Sequence, residues 1–224
     1  MLNKSPGGGQ FRTRAVFCQS STDPGVVEEI QRFRKSKFVD TLGWPLNADD
    51  FGEYDEFDRP DTIHFGLYEG DRVVGCFRAI RTDQPYLART KFPALASEIP
   101  YPSGPVSWEI SRLGVMSGGP SFGRSMSCYA AMFHFALGVN AVSLVAFCDV
   151  GHERLLRRIG IKTRRFGEPE LIDHDNAGRP IHAVAGEIVM AQQDPKRLRL
   201  LIAPTKNMEI EDGAALFGRP RLSA

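Results

Sequence analysis

The sequence predicts a single mixed α/β domain in which helices cover one central sheet. Strand-like and helix-like segments interleave along the chain, and Glu69-Gly70-Asp71 gives a clear hairpin signal. A strand, a glycine-rich turn, a helix and a buried strand follow one another over 108–147, which is the pattern of a βαβ unit. The 224 residues, with 42% hydrophobic and 25% charged side chains, suit one globular domain over 1–224.

The composition excludes several classes of function. A net charge of +1 gives no general argument for binding nucleic acid or a membrane. The N-terminus is polar and no apolar run is long enough to span a bilayer, so we expect a cytoplasmic protein. Four cysteines without CxxC spacing are expected to be buried free thiols, and five scattered histidines predict no metal site.

The first half of the chain predicts a strand, a helix, a long loop and a hairpin, in that order. The helix is indicated by Val27, Ile30, Phe33 and Phe38 at helical spacing, and Gly43-Trp44-Pro45 ends it. The loop at 45–61 is acidic, which fits a solvated segment, but its interleaved aromatic residues favour a functional one. The predicted elements are strand 12–19, helix 26–42, strands 62–68 and 72–81, and a loop with a short helix at 85–96.

The second half predicts the βαβ unit and a closing group of elements. After the strand that begins at Trp108, we expect helix 126–137, buried strand 141–147, helix 152–159, strands 161–165 and 183–190 joined by a turn at 173–178, and helix 195–202. The predicted core therefore spans about 12–202. Residues 1–10 and 203–224 are predicted to be flexible tails.

The strand Trp108-Glu109-Ile110-Ser111-Arg112 carries two charges in an apolar setting. Buried charges are costly unless they are paired or used, so the strand is either a structural ion pair or part of a site. Side chains alternate faces along a flat strand, so Glu109 and Arg112 would point apart. If both serve one cleft, the strand must contain a β-bulge.

With these elements placed, the chain resembles the LuxI-type acyl-homoserine lactone synthases over roughly residues 12–190. Four segments occur in the family's order with similar spacing, and together they are specific. They are Arg34-x-x-x-Phe38-Val39-x-x-Leu42-Gly43-Trp44, Glu53-Tyr54-Asp55-Glu56-Phe57-Asp58, Val73-Val74-Gly75-Cys76-Phe77-Arg78 and Trp108-Glu109-Ile110-Ser111-Arg112.

The resemblance implies an acetyltransferase-like three-layer α/β sandwich whose central, mixed, twisted sheet splays into a cleft. It also implies that the enzyme acylates the α-amine of S-adenosylmethionine (SAM) from an acyl thioester. The SAM carboxylate then displaces methylthioadenosine and closes the lactone, which is a quorum-sensing signal. SAM is a substrate in this reaction, and no cofactor is expected. The donor is either acyl-acyl carrier protein or acyl-coenzyme A, and no partner chain is expected.

The resemblance assigns residues to three groups. The catalytic group is Glu109 as base, with Asp55 as the rival base, and Arg112. SAM is expected to contact Arg34, Phe38, Trp44, Asp55, Asp58 and Arg78, with Arg34 suited to the substrate carboxylate. The acyl chain and pantetheine are expected to contact Phe92, Ser111, Phe147, Cys148 and Arg124, although Phe92 fits the core equally well.

Several readings remain open at the level of sequence. A generic N-acyltransferase on another amine and a non-catalytic relative that binds SAM or an acyl carrier are the alternatives. The turn from Gly118 to Arg124 is either a phosphate site or an ordinary helix entry. The lack of threonine in 141–150 weakly disfavours a 3-oxo acyl product. Six basic residues form either a docking patch for an acidic carrier or a solvated surface: Arg154, Arg157, Arg158, Lys162, Arg164 and Arg165.

Overall fold

The computed structural model describes residues 13–174 and 178–217. The strands are β1 Thr13–Cys18, β2 Ile63–Glu69, β3 Arg72–Arg81, β4 Ser107–Val115, β5 Ser143–Asp149, β6 Arg164–Arg165, β7 Glu170–His174, β8 Pro180–Val189 and β9 Met208–Asp212. The helices are α1 Pro24–Arg34, α2 Leu87–Lys91, α3 Ser121–Gly138, α4 Val150–Arg158 and α5 Pro195–Ile202. Most of the predicted elements are therefore confirmed.

The strands form one mixed sheet, as the sequence predicts. Their order is β6-β8-β5-β4-β3-β2-β1-β9, and β7 pairs with β8. β4 and β5 are parallel, as are β1 and β9, whereas the other pairs are antiparallel. The parallel pairing of β4 with β5 across α3 confirms the predicted βαβ unit.

Both faces of the sheet are covered, which gives three layers. On one face, α3 packs against the central strands, and the Phe135 ring meets Trp108 of β4 edge-on at 5.0 Å. On the other face, Ile30 of α1 lies over Gly66 of β2, where a Cβ would come within 3.2 Å of the Ile30 side chain. Among the described residues, no helix combines the length and apolar character that crossing a membrane requires.

The first helix ends differently from the prediction. The α-helical part stops at Arg34, and Lys35–Thr41 continues as a π-helix. π-Helical turns are rare in proteins, and those that do occur often lie at functional sites. This turn begins directly after Arg34 and contains Phe38, and both of these side chains are buried.

Three predictions near the C-terminus are wrong. The strand expected over 161–165 is reduced to β6, and β7 occupies part of the segment expected to be a turn; residues 175–177 of that turn lie outside the described residues. Residues 203–212, which the sequence predicts to lie in a flexible tail, form regular structure. A 3₁₀ turn at Ala203–Asn207 leads into β9, which pairs with β1, because the open edge of β1 offers unpaired backbone groups. Residues 1–12 and 218–224, which include the predicted N-terminal tail, also lie outside the described residues.

Candidate active site

A β-bulge in β4 brings two charged side chains to one face of the sheet. Cys76 pairs with Gly114 and Arg78 pairs with Ser111, so two β4 residues face one residue of β3. Arg112 lies in the bulge with a φ of 54°, a left-handed conformation that is uncommon outside glycine. Its guanidinium consequently reaches Asp55, which Arg78 also binds from the face that carries Glu109. The predicted bulge and the shared face are confirmed.

Three arginines and three carboxylates form a compact charged cluster on this face. We call it the arginine–carboxylate cluster. Its members are Arg34, Arg78, Arg112, Glu53, Asp55 and Asp58. The Nη2 atom of Arg112 lies 2.8 Å from a Glu53 oxygen and 2.8 Å from an Asp55 oxygen. The six formal charges cancel, and their mutual attraction and hydrogen bonds offset the large cost of removing these groups from water.

Arg34 is a fully buried member of the cluster. Its Nε atom donates to Glu53 at 2.6 Å, and its two terminal nitrogens donate to the two Asp58 oxygens at 2.8 and 2.9 Å. The residue is only 1% exposed. The prediction that Arg34 binds the SAM carboxylate does not fit this geometry, because every guanidinium nitrogen already donates to a buried carboxylate. Arg34 instead fixes the segment at 53–58 over the sheet.

The two aspartates of the cluster have different environments. Asp58 accepts hydrogen bonds from Arg34, Arg78 and the backbone N–H of Asp55, so it has no oxygen left for the predicted contact with SAM. Burial opposes its ionisation, but the hydrogen bonds and charge of Arg34, with the charge of Arg78, hold the pKa of Asp58 well below its usual range. Asp55 has the most exposed carboxylate side chain of the cluster, at 12%. Asp55 is therefore the acidic group that a ligand can reach.

Glu53 is a member of the cluster that the sequence reasoning did not assign to the site. Its carboxylate is 0% exposed and joins Arg34 to Arg112. The neighbouring Gly52 lies against the backbone of Gln31 in α1, where a Cβ would come within 2.9 Å of the Gln31 carbonyl carbon. This close approach directs Glu53 inward. The only signal in the sequence was its position in the matched acidic segment.

Glu109 is a seventh ionisable group, and no arginine within the described residues forms an ion pair with it. Its two oxygens accept the backbone N–H groups of Leu87 at 3.0 Å and Ala88 at 2.6 Å, in the first turn of α2. The residue is 0% exposed, and burial raises the pKa of Glu109 while these N–H groups and Arg78 oppose the shift. Glu109 therefore holds α2 in place and is also suited to accept a proton.

Two stacked aromatic rings lie beside the cluster. The rings of Phe38 and Trp44 are 5.1 Å apart with an angle of 20° between their planes. Phe38 is 2% exposed, whereas Trp44 is 44% exposed. Trp44 therefore presents a ring to solvent that a planar or cationic ligand can contact, and Phe38 supports it from below.

β4 and β5 part directly beyond Glu109. Their pairing ends at Glu109 and Val145, although β4 continues to Val115 and β5 continues to Asp149. This is the splayed cleft that the sequence resemblance implies. On the Glu109 side of the sheet, the rings of Phe92 and Phe147 meet at 4.4 Å.

Three of the residues expected to contact the acyl donor have other neighbours in the structure. Cys148 follows Phe147 in β5 and points to the opposite face, beside Leu156 of α4, because side chains alternate along a strand. Ser111 accepts a hydrogen bond from Arg78 and is 7% exposed. Arg124 binds both oxygens of Glu69, so its guanidinium is already engaged.

Comparisons with known proteins agree with this architecture. The sequence model of the autoinducer synthase family matches residues 19–179. An acyl-homoserine-lactone synthase of Acinetobacter nosocomialis is 33% identical over 165 residues, which are 69% of this chain and 90% of that protein.

Two solved structures share the fold. BjaI, described as a CoA-dependent acyl-homoserine lactone synthase, gives a TM-score of 0.77 at 23% identity over 89% of this chain and 93% of BjaI. TofI gives a TM-score of 0.70 at 28% identity over 85% of this chain and 98% of TofI. The acetyltransferase-like sandwich implied by the sequence is thus confirmed, and the chain belongs to the autoinducer synthase family.

Proposed function

We propose that the arginine–carboxylate cluster, Glu109 and Trp44 together synthesise an acyl-homoserine lactone from SAM and an acyl thioester. One contrast carries the assignment of roles. The six charges of the cluster pair with one another, whereas the buried carboxylate of Glu109 forms no ion pair with a described residue. The cluster supplies fixed charges for binding, and Glu109 supplies a proton acceptor. In support, the solved complex of BjaI contains SAM and isopentyl-CoA, and that of TofI contains MTA.

SAM binds in this proposal between Trp44 and the exposed edge of the cluster. The SAM ammonium and sulfonium are attracted to Asp55 and to the face of Trp44, and the SAM carboxylate is attracted to Arg112. Asp55 and Arg112 are 12% and 7% exposed at their side chains, the highest values in the cluster. Substrate binding then covers them and excludes water from the remaining charges.

Acyl transfer occurs where β4 and β5 part. Glu109, directly or through a water molecule, takes a proton from the SAM ammonium, and the freed amine attacks the thioester carbon. A backbone N–H of β4 beyond the paired region stabilises the oxyanion. The C–S bond breaks, the amide forms, and the leaving thiolate takes the proton that the attacking nitrogen loses.

Lactone formation follows, and this step needs no proton acceptor from the enzyme. A carboxylate oxygen of the acylated SAM attacks its own γ-carbon, and the bond from that carbon to the sulfonium breaks. The electron pair remains on sulfur, so neutral methylthioadenosine and a neutral lactone are released. Because the charges of carboxylate and sulfonium disappear together, a partly buried site favours this step.

The test is to incubate the protein with SAM and a panel of acyl thioesters and to follow methylthioadenosine and free thiol. Equal release of both products is expected. Release of thiol without methylthioadenosine would instead indicate N-acylation of another kind. Absence of both products across a broad panel would indicate a protein that only binds SAM or an acyl carrier.

Replacing Trp44 by Ala is expected to raise KM for SAM about tenfold, because a cation–π contact is lost. The melting temperature should change little, since the ring is 44% exposed. The matched control is Phe51→Ala, which removes a 75% exposed ring from the loop that follows Trp44. Equal KM values for the two variants would exclude Trp44 from SAM binding.

The pH dependence of kcat/KM is expected to show an acid limb set by Glu109. The base acts as a carboxylate, so activity is lost as pH falls through its pKa. Burial raises the pKa of Glu109 above that of an exposed glutamate, so the limb should lie at a higher pH than ordinary carboxylate titration. A pH profile of methylthioadenosine release, compared with that of Glu109→Gln, separates this limb from titration of the SAM amine. A limb at the ordinary value would contradict the assignment.

The proposal includes a phosphopantetheine-linked donor, either acyl-coenzyme A or acyl-acyl carrier protein. Two of the six residues in the predicted basic patch are engaged, because Arg164 binds Glu187 and Arg165 binds Glu153. Arg197 of α5 packs against Gly160 at the end of α4 and adds a cation to the remaining four. This combined surface of α4 and α5 is suited to an acidic carrier protein.

A further inference from the structure

A buried histidine lies beside the arginine–carboxylate cluster and takes no part in the chemistry described above. His64 of β2 is 1% exposed. It pairs with Cys18 of β1 on one side and with Arg78 of β3 on the other. Residues that pair across strands share a face of the sheet, so the His64 side chain lies on the face that carries the cluster.

The imidazole of His64 has unused hydrogen-bonding capacity. Neither of its ring nitrogens has a hydrogen-bond partner among the described residues. Its Nε2 atom lies 3.8 Å from an oxygen of Asp58, which is too long for a hydrogen bond. Buried polar groups are nearly always hydrogen-bonded, and an unpaired one costs stability. A small displacement toward Asp58 would remove that cost.

His64 is a donor that brings no charge. Burial, together with the charges of Arg34 and Arg78, lowers the pKa of His64 to about 3, and the opposing effect of Asp58 is smaller. The ring is therefore neutral near neutral pH, and one of its two nitrogens carries a proton. A neutral donor leaves the formal charge of the cluster at zero, whereas a cationic side chain at this position would be repelled by Arg34 and Arg78.

Asp58 connects this imidazole to the carboxylate that a ligand can reach. One Asp58 oxygen accepts the backbone N–H of Asp55 at 2.8 Å. The other oxygen, which faces His64, accepts hydrogen bonds from Arg34 at 2.8 Å and from Arg78 at 3.0 Å. The position of Asp55 therefore depends on how firmly Asp58 is held.

We propose that His64 is a positioning residue for SAM binding, whose imidazole donates to Asp58 once bound SAM draws Arg78 away. The inference rests on the proposed function, in which the SAM ammonium binds Asp55. Nη1 of Arg78 donates to both Asp55 and Asp58, so an ammonium at Asp55 competes with this guanidinium and repels it. A movement of about 1 Å then brings Nε2 of His64 within hydrogen-bonding distance of Asp58. Contacts of this kind are often long before the substrate binds and tighten in the complex.

The test compares His64→Leu, which has a similar volume but no donor, with His64→Gln, which keeps a neutral donor. Binding of SAM is measured by calorimetry in the absence of an acyl donor. His64→Leu is expected to raise Kd for SAM about tenfold, as the loss of one hydrogen bond to a charged group predicts. His64→Gln should recover most of the affinity. The matched control, His134→Leu, removes a half-buried histidine of α3 on the other face of the sheet and should bind SAM like wild type.

A second measurement separates this role from a structural one. Without SAM, the melting temperature of His64→Leu should equal or exceed that of wild type, because the imidazole has no hydrogen-bond partner among the described residues. The rise in melting temperature that SAM produces should be smaller in His64→Leu than in wild type, because the variant binds SAM more weakly.

Three results would overturn the positioning role of His64. They are equal Kd values for wild type and His64→Leu, equal losses of affinity in His64→Leu and His64→Gln, and a lower melting temperature of SAM-free His64→Leu with an unchanged Kd. Wild-type protein that binds no SAM would overturn the proposed function and this role together. Wild-type binding with unaffected variants would overturn the role of His64 alone, so the two failures are distinct.

Discussion

Replacing Glu109 by Gln is expected to reduce kcat by roughly 10²–10⁴-fold, the usual contribution of a positioned general base. The amide has nearly the shape of the carboxylate but cannot take the proton from the SAM ammonium. KM for SAM should change much less, because Asp55, Arg112 and Trp44 are untouched. Methylthioadenosine release under saturating SAM and donor measures the effect.

The structure adds a stability effect to this prediction. In the variant, one of the two backbone N–H groups of α2 faces an amide nitrogen and loses its acceptor, at a cost of about 1–3 kcal/mol. Removal of a buried charge offsets part of that cost. Glu109→Gln should therefore still fold, with a lowered melting temperature.

The matched control for Glu109 is Glu187→Gln, which changes a 6% exposed carboxylate on β8, two strands away from β4 in the sheet. It should lose stability through its contact with Arg164 and retain kcat. If Glu109→Gln retains kcat within about threefold, the base is Asp55 and Glu109 serves only to hold α2.

Replacing Arg34 by Leu is expected to give the largest loss of stability of any single change in the cluster. It leaves buried Asp58 without its bidentate partner and removes one of the two arginines that bind Glu53, and removing one member of a buried ion pair costs about 3–5 kcal/mol. For a chain of this size, that corresponds to a fall in melting temperature on the order of 10 °C. Activity should fall as well, because Asp55 lies in the segment that Arg34 holds.

Two comparison variants separate charge from geometry at Arg34. Arg34→Lys keeps the charge but cannot make all three hydrogen bonds, so its stability should lie between wild type and Arg34→Leu. Arg32→Leu removes an exposed arginine two positions earlier, whose pair with Glu28 contributes little to stability. A melting temperature for Arg34→Leu within about 3 °C of wild type would show that the cluster relaxes or neutralises without it.

The sequence was sufficient for the order and type of most elements. Regular hydrophobic spacing defines α1, the hairpin signal at Glu69-Gly70-Asp71 defines β2 and β3, and the glycine-rich turn precedes α3. The exceptions, β7 and β9, are five-residue strands that each pair with a single neighbour in the sheet. Such strands form because an edge is available, and that information is not local.

The sequence also indicated which residues gather at the active site, but it did not indicate how they are used. Arg34, Asp55, Asp58, Arg78 and Arg112 do lie together, and the bulge needed to bring Arg112 to the face of Glu109 is present. Their division into buried and accessible groups was not predicted.

What the sequence by itself determined is the fold class, the family and the membership of the cluster, because these depend on residue types and spacing. Only the tertiary structure decided that Arg34 and Asp58 are fully engaged within the cluster and that Glu109 holds α2. It also decided that Cys148 points to the opposite face and that Arg124 is held by Glu69. The physical reason is that a side chain's role depends on its partners and its burial. Both are set by segments far apart in sequence, such as the approach of Gly52 to α1 and of α2 to β4.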